Sequence, residues 1–499
     1  MKNTVRTKLS YACGDIYGGG AFMVFSLLFM SFLVLVEGIP VVAATVIIFI
    51  GRVWDAIFDP FMGRISDRTR SRFGRRRVFF LIGLVPVFLS FVMLFYGFGL
   101  DGHNNPVGSV IYFAFAYIFW GMSFSLVMVP YNAILSDMTS DYNERTSFTT
   151  IRMLFSGGAS LICAVVPSLI IKAMGGDTIS PNQRTGYLVM GVIFGLVFAA
   201  AWVLVFLGTY ERSDLPATTD KITIKKWLSV FQNKAYRNFL GTFLAFQITV
   251  DLTLAMFIFY MDIVVKKYSY YEVVVGMLLV FTLVFTPFMN MVAQKYGKAY
   301  PLYIGLPLWM VAAICFIWMN DSTPIAVLCV VAVVIAAGSS AGNLSNWSTL
   351  SDMFDIDELR TGERREGIYS GVSTFLRKFA SGVAVLLVGF GLQAFGFDQN
   401  QYNVDRSDPN FSATWSSATV LGIKWMFVLI PFILLAVALV FALRNKINKH
   451  RFDVVLKGID EFKAHGNIDA LAPDEVQDIL VATGATKDEL WGGHAVKQR

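Results

Sequence analysis

Residues 41–60 read VVAATVIIFIGRVWDAIFDP. From Val41 to Ile50 there is no charge and a single hydroxyl, Thr45. The segment lacks the polar stripe of a surface helix and the strict alternation of a half-buried strand. Arg52, Asp55 and Asp59 then follow before Pro60 gives the first turn signal. A run of roughly 20 mainly apolar residues is what a helix needs to cross a bilayer. The segment therefore reads as a membrane span that carries charge in its second half.

Similar blocks recur at Met23–Val36, Val78–Leu100, Val110–Pro130 and Ile423–Leu443. Of the 499 residues, 56% are hydrophobic and only 15% charged, against about a quarter charged in soluble domains. The 45 Phe and a mean hydropathy of +0.60 agree. A spanning β-barrel needs alternating segments of about 10 residues, and none is present. The fold class is all-α membrane, with twelve spans at about 11–36, 40–63, 78–100, 108–132, 150–174, 186–208, 239–264, 271–294, 300–319, 324–347, 369–393 and 421–443.

Charge sets the expected orientation. Seven Arg lie in 64–77, six Lys or Arg in 210–238, and Arg360, Arg364 and Arg365 in 351–367. The intervening loops are poor in both, so both termini are expected in the cytoplasm. The net charge of +6 is thereby a topology signal, with no nucleic-acid partner implied. Cys13, Cys163, Cys315 and Cys329 lie in or beside apolar stretches without metal spacing and read as packing residues. Met1–Ser10 is short and basic, and the first span is too long for a signal peptide.

An internal repeat is visible. Leu135-Ser-Asp-Met138 follows span four, and Leu350-Ser-Asp-Met353 follows span ten. Arg72-Phe-Gly-Arg75 before span three is echoed by Lys295-Tyr-Gly-Lys298 before span nine. Duplication predicts two parallel six-helix halves with a substrate site between them near the midplane. The expected divisions are an N-terminal half, 1–209, a cytoplasmic central loop, 210–238, a C-terminal half, 239–449, and a cytoplasmic tail, 450–499. In the tail, Pro473-Asp474-Glu475 opens a short helix.

Ionisable residues inside spans are costly and mark function. Asp55 and Asp59 are four apart and share a helix face. Two carboxylates one turn apart repel unless a cation or proton sits between them, which makes them a candidate cation site. Arg52 is spaced to partner Asp55, and Ser125 offers a hydroxyl. Na⁺ needs several oxygens and H⁺ a single carboxylate; Phe58 offers no oxygen. Asp15, ahead of Gly18-Gly19-Gly20, is a candidate for substrate or cation, and the glycines allow close approach of a helix or ligand. Arg152, opening span five, and Lys378 are candidate donors to substrate. Snorkelling to the surface suits Arg377 better than Lys378. Asp251 and Asp262 are weaker candidates. Tyr131, Asn132, Asn343 and Trp347 offer aromatic faces and amides for a sugar, beside Trp120, Phe124 and Asn346. Arg52, Asp67, Arg68, Asp137, Arg145, Asp352, Asp355 and Arg364 are the expected gating and loop charges.

Several segments together resemble the glycoside-pentoside-hexuronide:cation symporter family (melibiose permease-like) of the major facilitator superfamily. They are Lys8–Tyr11, Arg52–Pro60 with Gly63, Asp67–Gly74, Trp120–Met122, Pro130-Tyr131, Met138-Thr139, Asp141-Tyr142 and Glu144–Thr146. The second half adds Asp352, Asp355, Glu358, Gly362, Arg364–Gly367 and Arg377-Lys378. The resemblance implies the major facilitator fold, alternating access, and uptake of a sugar or glycoside with Na⁺, H⁺ or Li⁺. It places the cation at Asp55, Asp59 and Ser125, and substrate at Arg152 and Lys378. The melibiose-type pattern has acids at the positions of Gly19 and Met128, an Asn at Phe58 and a Trp at Asn132. Their absence argues against a galactoside and for a uronide, a pentoside or another glycoside.

The expectation is a symporter and not an enzyme: no nucleophile–base set, metal cluster or phosphate loop appears. It has no cofactor beyond the coupling cation, Na⁺ or H⁺. Its partners are a small sugar or glycoside and the lipid bilayer, and it acts as a monomer in a bacterial cytoplasmic membrane. A lysolipid symporter and a membrane sensor with a signalling tail are the competing readings.

Overall fold

The computed structural model describes residues 4–102, 104–139, 142–176, 181–211, 224–363, 365–398 and 415–492. Among them all regular structure is helical. Peptide groups in hydrocarbon have no water to bond, so each apolar run closes its hydrogen bonds on itself.

The first span comprises α1 (Val5–Ala12), α2 (Gly14–Val24) and two π turns, Phe25–Phe29 and Phe32–Val36. Then come α3 (Val41–Arg68), α4 (Arg77–Ile82) and α5 (Leu84–Leu94), α6 (Pro106–Met138), α7 (Tyr142–Gly175) and α8 (Arg184–Gly208). A short α9 (Ile224–Ser229) precedes α10 (Lys234–Phe259), which runs into a π turn, Tyr260–Val264. The second half continues with α11 (Tyr271–Tyr296), α12 (Tyr300–Cys315), α13 (Ile325–Thr361), α14 (Glu366–Ala394) and α15 (Ser417–Arg444). The tail forms α16 (Lys449–His465) and α17 (Pro473–Thr483).

Among the described residues, ten helical stretches are long and apolar enough to cross a membrane. The third and ninth expected spans are the shorter apolar helices Leu84–Leu94, preceded by α4, and Tyr300–Cys315. Local sequence sets the ends. The Asn105 side chain accepts from the Gly108 N–H to start α6, with Pro106 in its first turn. Asn233 caps α10 in the same way. Gly362, at φ 70°, closes α13 in the left-handed conformation. That helix extends well past residue 347, so much of the expected loop 351–367 is helix through Thr361.

The duplication appears in backbone detail. The first span of each half ends in a π turn, Phe32–Val36 and Tyr260–Val264. Gly74 and Gly297, the glycines of the echoed motifs, both have positive φ, 104° and 117°. A side chain is strained there, which explains a glycine at both turns.

The halves meet where α3 packs on α14 and α7 on α11. At Gly389 in α14 a side chain would collide with Thr45 of α3, so small residues set the approach. Lys172, near the end of α7, reaches the Glu272 carboxylate at the start of α11 at 2.6 Å, both buried. This end lies opposite the termini, and is called the far end below. The tail packs on the C-terminal half. Val455, Ile459 and Phe462 of α16 join a core with Ile356 and Leu359 of α13, and Lys463 pairs with Glu358 at 2.7 Å.

Candidate functional site

Asp55 and Asp59 sit one turn apart on α3, and their carboxylates face α6 and α14. The Ser125 hydroxyl of α6 lies 3.0 Å from Asp55 Oδ1 and 2.5 Å from Asp59 Oδ1. From α14, Lys378 Nζ lies 2.7 Å from Asp55 Oδ2 and 2.5 Å from Asp59 Oδ2. One ammonium and one hydroxyl thus bridge both acids, and the ammonium comes from the other half of the molecule. The three expected cation ligands are brought together, and Lys378, expected at the substrate, joins them. Phe58 does not intrude. It lines an apolar groove with Trp54, Ile57 and Phe61, on another side of α3.

Arg52 does not pair with Asp55, contrary to its spacing. Lys378 already holds Asp55, and the Arg52 guanidinium turns instead onto the rings of Phe22 and Phe25, 4.6 and 5.0 Å from their centroids. Arg377 does not snorkel either. It lies 5.5 Å from the centroid of the same Phe22 ring, across the seam between halves. The charges facing it are Asp251, Arg52, Asp55 and Asp59.

A second charged pair lies inside the N-terminal half. Arg152, three turns into α7 rather than at its start, grips Asp15 of α2 through Nε at 2.6 Å and Nη2 at 3.2 Å. A two-pronged grip of this kind fixes orientation as well as charge. The guanidinium lies over the Tyr131 ring at 4.8 Å. Tyr131 itself is fully buried, stacked on Tyr11 at 4.7 Å and bonded to the Tyr11 carbonyl at 2.9 Å. It supports Arg152 and leaves no free ring face of its own to a ligand. The glycines after Asp15 serve helix packing. A side chain at Gly19 would meet Ser156 and Ser160 within 3.0 Å, and one at Gly20 would meet Cys163.

The remaining candidates scatter. Asn132 is exposed on α6. Asn343 bonds back to the Ser339 carbonyl at 3.0 Å, while Trp347 is half exposed and edges onto Phe243. Asn346 is buried, and among the described residues its amide nitrogen has no partner. The expected gating charges form clusters at the terminus-bearing end. Asp137 is gripped by Arg75 and Arg76, and Asp352 by Lys298, so the echoed motifs make equivalent pairs in the two halves. Arg68 is exposed at the end of α3 and Asp355 is half buried. Arg364 and the side chains of Asp67 and Arg145 lie outside the described residues.

Sequence reasoning missed Glu211. Its carboxylate accepts the backbone N–H groups of Arg75, Arg76 and Arg77 at 2.8–2.9 Å, capping the arginine loop. It also missed Lys172–Glu272, two lone charges at opposite span ends with no motif to join them. A third was Glu37, buried between the first two spans beside Arg184 and Asp101. Burial pushes its carboxyl up to about 7, with Arg184 opposing and Asp101 adding to the rise.

Comparison with known proteins agrees with this architecture. The profile of the family described as MFS/sugar transport protein matches residues 10–449. An uncharacterized symporter of Synechocystis sp. is 28% identical, over 78% of this chain and 86% of its own length. The isoprimeverose transporter of Lactiplantibacillus pentosus is 26% identical, over 94% and 93%. A glucuronide carrier protein homolog of Escherichia coli is 25% identical, over 87% and 92%. In fold, the chain resembles the nucleoside transporter NupG with a TM-score of 0.58 at 13% identity, covering 92% of this chain and 100% of the other. It also resembles the xylose transporter XylE of E. coli with a TM-score of 0.55 at 14% identity, covering 86% and 94%.

Proposed function

The chain belongs to the MFS/sugar transport protein family, and on that premise we propose that it carries a sugar or glycoside, coupled to Na⁺ or H⁺, by alternating access. It is a multi-pass membrane transporter of the major facilitator fold and not an enzyme. The coupling and the site are the proposal. The observation that carries it is Lys378 bridging Asp55 and Asp59 across the two halves.

The mechanism follows from that bridge. Two acids and one ammonium leave one negative charge in a buried site, which favours entry of one more cation. Four carboxylate oxygens and the Ser125 hydroxyl are the donors for Na⁺; H⁺ needs one carboxylate. Either ion weakens the grip on Lys378 by competing for the same oxygens. The bridge between halves then opens, and Lys378 becomes free to donate to substrate. Substrate meets Arg152, held by Asp15, from the N-terminal half and the released Lys378 from the C-terminal half. Binding of the ion is thereby linked to motion of the halves, because a ligand shifts a conformational equilibrium only through differential contacts with the two states.

The arginine-rich end, with the chain termini, faces the cytoplasm of a bacterium in this reading, by the bias of Lys and Arg. The segments 210–238 and 450–499 lie on that side, and the monomer is the working unit. The test is uptake into membrane vesicles with imposed Na⁺ or H⁺ gradients, against a panel of glucuronides, xylosides and galactosides. Asp55→Cys is expected to keep substrate binding and lose gradient-driven accumulation. Intact accumulation in that variant overturns the assignment.

A further inference from the structure

We propose that the face of α3 turned away from Asp55 and Asp59 holds one anionic phospholipid, its acyl chain in an aromatic-walled groove and its phosphate on Arg64 and Arg68. The proposal goes beyond the symport reading and needs neither the coupling ion nor the sugar. It takes from that reading only which end of α3 is cytoplasmic.

The first observation is the groove. Trp54, Ile57, Phe58, Pro60, Phe61 and Arg64 line a space of about 410 Å³, within the range of small-molecule clefts. Trp54, Ile57, Phe61, Arg64 and Arg68 follow one another at steps of three or four, so they share one face of the helix. Asp55 and Asp59 point the other way, to Ser125 and Lys378. Trp54, Ile57 and Phe61 are 43%, 60% and 58% exposed, and on a spanning helix such a face meets hydrocarbon rather than water. Trp54 and Arg64 are ten residues apart, about 15 Å of helix. That is half of the roughly 30 Å hydrocarbon core, the depth of one leaflet and so of one acyl chain. Pro60 sits inside the helix and lacks the N–H that would bond the Ala56 carbonyl. A chain packed along this wall braces α3 where its hydrogen-bond ladder is weakest, next to Asp59.

The second observation is how the arginines at this end divide. Arg75 and Arg76 hold Asp137, and Arg77 donates to the Phe206 carbonyl. Arg64 and Arg68 are exposed, and among the described residues neither has an ion pair, a hydrogen bond or an aromatic ring under its guanidinium. By contrast Lys295 and Arg444, at the same end of α11 and α15, lie over the rings of Tyr296 and Phe441. Arg64 and Arg68 are one turn apart, so both reach a single phosphate, whose oxygens suit planar guanidinium groups. Anionic lipids give the cytoplasmic leaflet its negative surface. Free phosphate satisfies the arginines and leaves the groove empty. A zwitterionic lipid fills the groove but brings its own cation to the phosphate. An anionic phospholipid satisfies both features.

The experiment titrates the full chain, purified in detergent, with dioleoyl phosphatidylglycerol, dioleoyl phosphatidylcholine and inorganic phosphate. Native mass spectrometry reads the first lipid bound per chain, and thermal melts read the stability it confers. Phosphatidylglycerol is expected to bind roughly 10- to 30-fold more tightly than phosphatidylcholine, the scale of two arginines at a membrane surface, and to raise Tm by mass action. Arg64→Gln/Arg68→Gln is expected to bring phosphatidylglycerol down to the phosphatidylcholine level. Phe61→Ala is expected to weaken both lipids about tenfold, the scale of one large apolar side chain. Arg70→Gln, exposed on the adjoining loop, is expected to leave binding within about twofold, because salt screens charge away from the phosphate. Equal binding of the two lipids by the native protein overturns the site. So does an equal loss in Arg70→Gln, which marks diffuse attraction to a basic loop. Displacement of the lipid by inorganic phosphate at matched concentration overturns it as well, since the groove then contributes nothing. The symport reading stands or falls separately, on gradient-driven uptake.

Discussion

Two kinds of charged contact occupy the interior, and they differ in what they join. Arg152–Asp15, Arg184–Glu37, Arg75–Asp137 and Lys298–Asp352 each stay within one six-helix half. Lys378 with Asp55 and Asp59, and Lys172 with Glu272, cross from one half to the other. A contact within a half survives if the halves rock as units; a contact across the seam has to be remade. The first kind therefore belongs to stability and site shape, and the second to the conformational equilibrium. The crossing pairs lie at the midplane and at the far end, on the α3–α14 and α7–α11 seams. Removing a charge should read out differently in the two sets.

The largest effect is expected at Lys378. Lys378→Ala leaves two buried carboxylates one turn apart without their shared cation. Breaking one partner out of a buried pair costs about 3–5 kcal/mol, or roughly 10²- to 10⁴-fold in an equilibrium. Gradient-driven uptake should fall by that order, while Lys378→Arg keeps the charge and retains part of it. Near-native accumulation in Lys378→Ala breaks the comparison at its strongest point. Next comes Asp15→Asn, which strands Arg152 inside one half. It is expected to lower thermal stability by about 3 kcal/mol, with the double variant Asp15→Asn/Arg152→Gln recovering most of it. Thermal melts of the purified protein separate the two. A change in ion coupling with no loss of stability would move this pair into the crossing set.

The sequence made some of this legible and hid the rest, for a physical reason. Long apolar runs identify spans because hydrocarbon demands continuous helix, so all twelve stretches were readable. Asp55, Asp59 and Ser125 were readable too. The two acids share a helix face by spacing alone, and Ser125 was a hydroxyl within an apolar span that the resemblance then matched to the same site. The echoes of Gly74-Arg75 in Gly297-Lys298 and of Asp137 in Asp352 were readable as a repeat, but not that base and acid would meet; the packing joins Arg75 to Asp137 and Lys298 to Asp352. Helix spacing could not say which of several charges a given acid would meet. Arg52 at three residues from Asp55 looked like its partner, yet Lys378, more than 300 residues away, takes that place. Lys172 and Glu272 carry no local pattern, and only the packing of α7 on α11 joins them. At Gly19 the spacing left close approach of a helix or of a ligand open, and it is α7, through Ser156 and Ser160, that comes close.

The far-end crossing pair gives a smaller, conformational prediction. Lys172 Nζ donates to Glu272 and also lies over the Tyr268 ring at 4.7 Å. Lys172→Gln removes a contact present only when this end is closed. The population with that end open should rise by about tenfold, a typical coupling energy for one such contact. Thr45→Cys, buried beneath Gly389 at the seam, reports the opening through its labelling rate by a membrane-impermeant maleimide. The charge reversal Lys172→Glu/Glu272→Lys should restore slow labelling. An unchanged rate in Lys172→Gln would show that apolar packing alone holds this end shut, and the comparison would then rest on Lys378.

The within-half set at the same end predicts the smallest effect, and one of a different kind. Glu37 is buried, 3.3 Å from Arg184 Nε, and its carboxyl is pushed up to about 7 chiefly by burial. An unfolded Glu releases its proton near pH 4.3. Between those values the folded chain holds a proton that the unfolded chain has lost, so stability falls as pH rises through that window. Below it both states are protonated and above it both are ionised, so the slope vanishes on either side. Melting temperature should therefore drop by a few degrees from about pH 5 to about pH 8, and Glu37→Gln should flatten this component of the curve. The labelling rate at Thr45→Cys should stay level across the same range in the native background, because Glu37, Asp101 and Arg184 move together. A labelling rate that tracks the titration of Glu37 would place this cluster, too, among the contacts that govern the seam.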